Sequence, residues 1–296
     1  MRKYVIYTTI VGNYDCIRQP LSIDDRFDYI LFSDTISSKQ LGVWQVRQLP
    51  FTNDNKKLQC SYVKCNPFTE LSGYEASLCM DANIQIATPV VYQRFFELLG
   101  AGIEWGGIKH PDQHCTYEEI CTILSLRWVH DYDVVDWYAK LKKEGFPELW
   151  GLFENNVMFR KHTSSVKQIG EMWWQSMLNG CKRDQFSLMY YLWQIKPRMT
   201  YLLEEDECPR TNSTNFNYYP HNPHKRVVDL GLNEKIRNRC MRIASPDVRI
   251  SYHKLFDNLS KFSHPRHMLY LWEIYAVLAY GPKLLVKYFR FWISNK

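Results

Sequence analysis

Tyr4-Val5-Ile6-Tyr7-Thr8-Thr9-Ile10 opens the chain as a run of β-branched and aromatic residues, and Val11-Gly12-Asn13-Tyr14-Asp15 follows it directly. Such a run is the composition of a strand covered on both faces, and Gly12-Asn13 supplies the turn that ends it. The signature recurs at Phe27–Phe32, closed by Ser33-Asp34, and again at Val43–Val46. Ala76-Ser77-Leu78-Cys79-Met80-Asp81 reads as a strand running into an acidic tip, with Ile84-Gln85-Ile86 beyond it. Residues 54–63, 90–99, 116–127, 133–144, 164–178 and 183–195 carry helix-compatible patterns, while Gly151–Phe153 and Val157–Arg160 read as short strands flanking Glu154-Asn155-Asn156. Strands alternating with helices predict an α/β fold with a mainly parallel central sheet and flanking helices. Ligands of such sheets bind beyond the carboxyl ends of the strands, which directs attention to Val11–Asp15, Ser33-Asp34 and Asp81–Asn83.

The chain has 296 residues, 46% hydrophobic and 23% charged, which suits one generous α/β body with an appendage. The pattern turns polar at Glu204–Glu207 and Asn212–Asn217, then helical, aromatic and basic towards the end. We therefore expect a main domain over 1–240 and a C-terminal helical, basic-aromatic segment over 241–296. Net charge is +6, with the basic residues dispersed or C-terminal and no recognition module, so nucleic acid is not an expected partner. Nine cysteines, an odd number with no Cys-x-x-Cys pair, argue against a disulfide framework or a structural zinc site. The apolar run at the start is too short for a signal peptide, and no stretch approaches the ~18 apolar residues of a spanning helix. A cytoplasmic location is the expectation. A P-loop, Gly-x-Ser-x-Gly and Gly-x-Gly-x-x-Gly are all missing from the sequence, which removes several enzyme classes.

The sharpest chemical feature is Met80-Asp81-Ala82-Asn83-Ile84. A carboxylate at a strand end with a second oxygen ligand two residues on suits a hard cation, Mn²⁺ or Mg²⁺, of the kind shared with substrate phosphates. Asx residues at this position also serve plain turn chemistry. His221 is a candidate for completing the metal shell. Lys64 precedes the acidic motif and is placed to approach a phosphate, while Arg160, Lys161 and His162 stand at the end of a later strand. Arg183-Asp184-Gln185 begins a helix and offers a carboxylate beside an amide. His110, Asp112 and His114, followed by Glu118 and Glu119, form a second cluster that a zinc hydrolase could use, although helical His-Glu-x-x-His spacing is absent. A proline-started loop entering a helix explains that cluster equally well.

Taken in order, Ile6–Asp15, Tyr29–Asp34, Lys64, Met80–Ile84, Lys109-His110-Pro111, Cys115–Glu119, Gly151–Val157, Trp173-Trp174 and Arg183–Ser187 resemble a glycosyltransferase-like family. That family includes plant mucilage-related and bacterial surface-polysaccharide proteins. The resemblance implies a GT-A nucleotide-sugar fold over 1–240, with Asp81-x-Asn83 standing where related enzymes carry Asp-x-Asp. Asn in place of the second Asp keeps an oxygen ligand and removes a charge. Arg183-Asp184-Gln185 is also similar to the Asp-Gln segment of retaining galactosyltransferase-like enzymes, which lies beside the anomeric carbon.

The function that the resemblance implies is transfer of a sugar from a nucleotide-sugar donor, a UDP-sugar foremost, to a glycan or lipid-linked acceptor. Val11, Asn13 and Asp34 would line the nucleoside pocket, Lys64 would meet the phosphates and Asn155 would face the donor sugar. Asp81, Asn83 and His221 would hold Mn²⁺ or Mg²⁺, and Asp184, Gln185 and Glu154 would carry the chemistry, with retention favoured over inversion. Lys283, Lys287 and Arg290 recur at helical spacing among Leu, Val, Phe, Trp and Ile over residues 283–293. This is the pattern of a basic amphipathic helix on an anionic membrane surface, or of a terminal helix packed on its domain. It would place the enzyme peripherally on the cytosolic face. The alternatives are the zinc hydrolase at His110–Glu119 and a non-catalytic polysaccharide-assembly factor.

Overall fold

Ten strands and six helices are resolved in a computed structural model that describes residues 2–125, 131–180, 183–211 and 213–221. In chain order they are β1 (Tyr4–Ile10), β2 (Phe27–Ser33), β3 (Gln40–Leu41), β4 (Trp44–Gln48), α1 (Lys56–Cys65), β5 (Ala76–Met80), β6 (Ile84–Ile86), α2 (Val90–Gly100) and β7 (Trp105–Lys109). Then come α3 (Thr116–Ser125), α4 (Asp131–Lys143), β8 (Phe153–Lys161), α5 (Ser164–Asn179), α6 (Asp184–Ile195), β9 (Met199–Leu203) and β10 (Phe216–Tyr218). The boundary expected at 240 and the amphipathic pattern at 283–293 lie outside the described residues. Two compact units divide the chain, Met1–His114 with Gly151–Arg226, and Cys115–Trp150 with Val227–Lys296. Residues 115–150 group with the second of these units.

In the first unit, eight strands form one sheet in the order β3-β4-β2-β1-β5-β8-β7-β9. The pairs β1–β2, β1–β5, β2–β4 and β7–β9 are parallel, and β3–β4, β5–β8 and β7–β8 are antiparallel. The mainly parallel sheet expected from the sequence is present. Strand β8 differs from the expectation: it runs unbroken from Phe153 to Lys161 through Glu154-Asn155-Asn156. Because β8 is reversed, its amino end lies at the carboxyl edge of β5 and β7.

Side chains alternate across the sheet. One set, Ile6, Phe27, Leu31, Leu78 and Phe159, packs against α2, where Phe95 meets Phe27 and Phe159 edge-to-face with centroids 4.8 and 4.9 Å apart. Full burial of a ring such as Phe95 contributes about 1.5–3 kcal/mol. The alternate set, including Tyr7 and Arg160, serves the other face, where α1 packs on β1 and α5, and α5 on α6. A short antiparallel ribbon, β6 with β10, is separate from the large sheet.

In the second unit α3 and α4 pack together, with Tyr117 edge-on to Tyr138 at 5.0 Å and its hydroxyl donating to the Phe146 carbonyl at 2.9 Å. Among the described residues, Cys16, Cys60, Cys65, Cys79, Cys115 and Cys208 are free thiols. Among the described residues, no helix is long and apolar enough to cross a membrane.

Candidate functional site

From β1 the chain winds outward through β2 to β4, then returns to place β5 on the other side of β1. The reversal makes the carboxyl ends of β1 and β5 a topological switch point, the place where such sheets bind ligands. Val11–Asp15 and Asp81–Asn83 stand there. The amino end of β8 joins them, since the Asp81 N–H donates to the Asn156 carbonyl at 2.9 Å.

Lys64 is the centre of this edge. Helix α1 starts where the Asn55 side chain accepts from the backbone of Lys57 and Leu58, and it carries Lys64 in its last turn. The Lys64 ammonium lies 3.1 Å from Asp81 Oδ1 and 3.2 Å from Asp184 Oδ2. Side-chain exposure is 16% for both Lys64 and Asp184 and 41% for Asp81, so the pair with Asp184 is the desolvated one. Asp184 is the first residue of α6, where the helix dipole favours negative charge. The Trp173 indole N–H donates to the Asp184 carbonyl at 3.0 Å and fixes that helix start from behind.

Burial opposes the Asp184 charge, but Lys64, Arg183 and Lys57 outweigh it and hold the carboxyl well below the usual carboxylate range. Burial, with the Asp184 charge, pushes Asp81 upward against the pull of Lys64. Lys64 itself is penalised by burial, yet the two carboxylates raise it well above its ordinary value. Lys64 and Asp184 thus each favour the other's charged form.

The loop after β1 is held by its neighbours. Gly12 has φ +63°, a left-handed conformation that glycine adopts freely. Its N–H donates to Asp34 Oδ1 at 2.6 Å, and its carbonyl accepts from the Thr35 hydroxyl at 2.9 Å. Asp34 thus shapes the loop, while Val11 is buried within it and Asn13 is exposed. Asp15 Oδ1 lies 2.8 Å from His221 Nδ1, and Tyr14 packs on the same imidazole with centroids 4.7 Å apart. Asn83 is buried, its amide donating to the Tyr219 carbonyl at 2.9 Å.

A second polar group flanks the first. Glu154 Oε2 accepts from Arg210 at 2.6 Å and lies 3.3 Å from His110 Nε2. His110 Nδ1 accepts the N–H groups of Asp112 and Gln113 at 3.2 and 3.0 Å, so the ring proton belongs on Nε2. Burial, then Arg210 and Arg183, push this imidazole down to about 3, keeping it neutral. Glu154 is raised by burial and by Asp81, against the pull of Arg210, Arg183 and Lys64. Beside it, Asn155 is 3% exposed with neither amide atom bonded to protein. A buried amide in that state is expected to serve water or a ligand. Gln185 is buried, and its Oε1 accepts from Arg183.

Lys64, Asp81 and Asp184 are thus brought into direct contact, and Glu154 acts on Asp81 and Lys64 through its charge. Asp34 turns inward to Gly12, and Arg160 lies buried within β8. Two participants were missed. Asp15 was read only as part of a loop, and Arg210 fell in a stretch whose polar composition gave no sign of it.

Among the described residues, no three of His, Cys, Asp and Glu form a ready-made metal group, and this includes the 110–119 cluster as far as it is described. The residues singled out for Mn²⁺ or Mg²⁺ nevertheless have fitting chemistry. The Asp15 contact occupies His221 Nδ1 and leaves Nε2 for a ligand, as metal-binding histidines commonly are held. The Asn83 amide nitrogen is taken up by the Tyr219 carbonyl, which orients its oxygen. Compared with models of known families and with curated proteins, the chain matches none.

Proposed function

We propose that the chain is a glycosyltransferase of the GT-A type that moves a sugar from a nucleotide-sugar donor, a UDP-sugar foremost. The acceptor would be a glycan or lipid-linked glycan in surface-polysaccharide assembly. The observation that carries this reading is Lys64 held between Asp81 and Asp184 at the β1/β5 switch point. A nucleoside at Val11–Asn13 would direct its diphosphate to Lys64, with Arg183 and Lys57 adding positive potential nearby. When bound, a Mn²⁺ or Mg²⁺ ion held by Asp81, Asn83 and His221 would neutralise charge on the departing diphosphate.

Asp184 is a poor general base, because its cations and helix terminus hold its carboxyl well below the usual range. A carboxylate that stays ionised suits stabilisation of, or attack on, an oxocarbenium-like sugar, which favours retention. Glu154, fixed by Arg210 and His110, would orient an acceptor hydroxyl, and the Asn155 amide offers hydrogen bonds to the donor sugar.

The test is a thermal-shift screen of UDP-, GDP-, CMP- and dTDP-sugars with and without Mn²⁺, on wild type and Asp81→Ala. A ligand that binds only the folded state raises the melting temperature. Stabilisation by one nucleotide class, enhanced by Mn²⁺ and lost in Asp81→Ala, is expected. No response of the wild type to any nucleotide refutes the reading.

A further inference from the structure

Arg160 has no exposed surface, 0%, and lies beneath the site rather than in it. Burying a guanidinium is costly unless its donors are used well. Here Nη1 alone is bonded, donating to the carbonyls of Lys64 and Cys65, the last two residues of α1, at 2.8 and 3.2 Å, while Nε and Nη2 have no hydrogen-bond partner. The Tyr7, Phe68 and Trp105 rings surround the guanidinium with centroids 5.6, 5.4 and 5.5 Å away. Burial pushes it down to about 9, so it remains charged at neutral pH. A cation on the last carbonyls of a helix also complements the helix dipole.

The same helix end is gripped from a second side. A Cβ added at Gly170 in α5 would come 2.7 Å from the Cys65 carbonyl oxygen and 2.5 Å from the Phe68 ring. Arg160 is itself fixed in register, opposite Ser77 of β5 and Trp105 of β7. A frame made by the middle of the sheet therefore holds the backbone of Lys64, while its side chain reaches Asp81 and Asp184.

We propose that Arg160 is a positioning residue for Lys64: by holding the α1 terminus it keeps the ammonium between the two carboxylates, aimed at the donor diphosphate. The diphosphate part rests on the function proposed above; the positioning part does not. A helix end sealed by a plain hydrogen-bond partner would serve stability alone, whereas this one bonds the carbonyl of the residue whose side chain makes the site.

The test has two arms. In the first, lysines of wild type, Arg160→Met and Arg160→Lys are acylated with a hydroxysuccinimide ester under native conditions and quantified by peptide mass spectrometry. Lys64 labelling should rise on the order of tenfold in Arg160→Met, the factor set by losing one charge-assisted hydrogen bond from local opening. Exposed Lys3 and Lys196 should label as before, and Arg160→Lys should restore part of the protection. In the second arm, uridine diphosphate affinity is measured for Arg160→Met, Lys64→Met and the double variant. Action through Lys64 requires the double variant to lose no more than Lys64→Met alone.

Unchanged Lys64 labelling, a uniform rise at every lysine, or additive affinity losses each overturn the proposal. If Arg160→Met does not fold, Gly170→Ala perturbs the same carbonyl and should raise Lys64 labelling in the same selective way. If wild type responds to no nucleotide in the screen above, the proposed function falls while the labelling arm still decides the positioning role.

Discussion

Replacing Lys64 by Met removes a cation in direct contact with both Asp81 and Asp184 while keeping most of the apolar stem. Deleting one partner of a buried pair costs about 3–5 kcal/mol, and an exposed pair contributes about 0–1 kcal/mol. The Asp184 pair is desolvated on both sides, at 16% exposure each, whereas Asp81 is 41% exposed and its share must be discounted. A total loss of about 3 kcal/mol follows, or roughly 6–12 °C in melting temperature for a body of this size. The pH dependence gives a sharper signature. In wild type the Asp184 carboxyl is held below its unfolded value, so its stabilisation is complete above about pH 4 and is lost only at lower pH. Without Lys64, burial and mutual repulsion raise both carboxyls, and the folded state takes up protons that the unfolded chain does not. The deficit of Lys64→Met should therefore shrink between pH 7 and pH 5. Urea unfolding followed by circular dichroism at both pH values measures this. A deficit under about 0.5 kcal/mol, equal at the two pH values, would refute the reasoning.

His110→Gln removes a ring that stays neutral when folded, down to about 3, but takes a proton below about pH 6.5 when unfolded. Wild-type stability should therefore fall as pH drops through that window by up to about 1.4 kcal/mol per pH unit, and the variant's acid limb should be flatter by one proton. Gly12→Ala puts a Cβ at φ +63° and 3.1 Å from the Lys56 ammonium, which is mobile enough to yield. The backbone term alone should cost about 1–2 kcal/mol in chemical denaturation and weaken nucleotide binding at that loop. Asp15→Asn should lower Mn²⁺ affinity about 10–100-fold in an electron paramagnetic resonance titration, because the histidine loses the carboxylate that orients it.

Strands β1, β2 and β5 were legible because their residues are buried on both faces, and such burial leaves β-branched and aromatic runs. Strand β7 reads Trp-Gly-Gly-Ile-Lys, and its glycines hide it from propensity. They are there for packing: a Cβ at Gly107 would come 2.5 Å from the Phe153 ring. Glu154-Asn155-Asn156 hides the continuity of strand β8, because polar residues at the edge of a sheet imitate a loop. Lys64, Asp81 and Asp184 each carried a local signal, but their contact depends on three elements meeting. Asp15 and His221 lie 206 residues apart, and neither has a local pattern that names the other.

The ribbon of β6 and β10 bears on the order in which the protein assembles. Closing a longer loop costs more chain entropy, and non-local pairings form slowly. Strands β1 and β2 are joined through a short span, but Asn217 must find Gln85 across 132 residues. That late closure also delivers Tyr219 to Asn83 and His221 to Asp15. The chain can thus complete its sheet before the loops of the proposed site are joined, and a nascent molecule would acquire its shape ahead of that site.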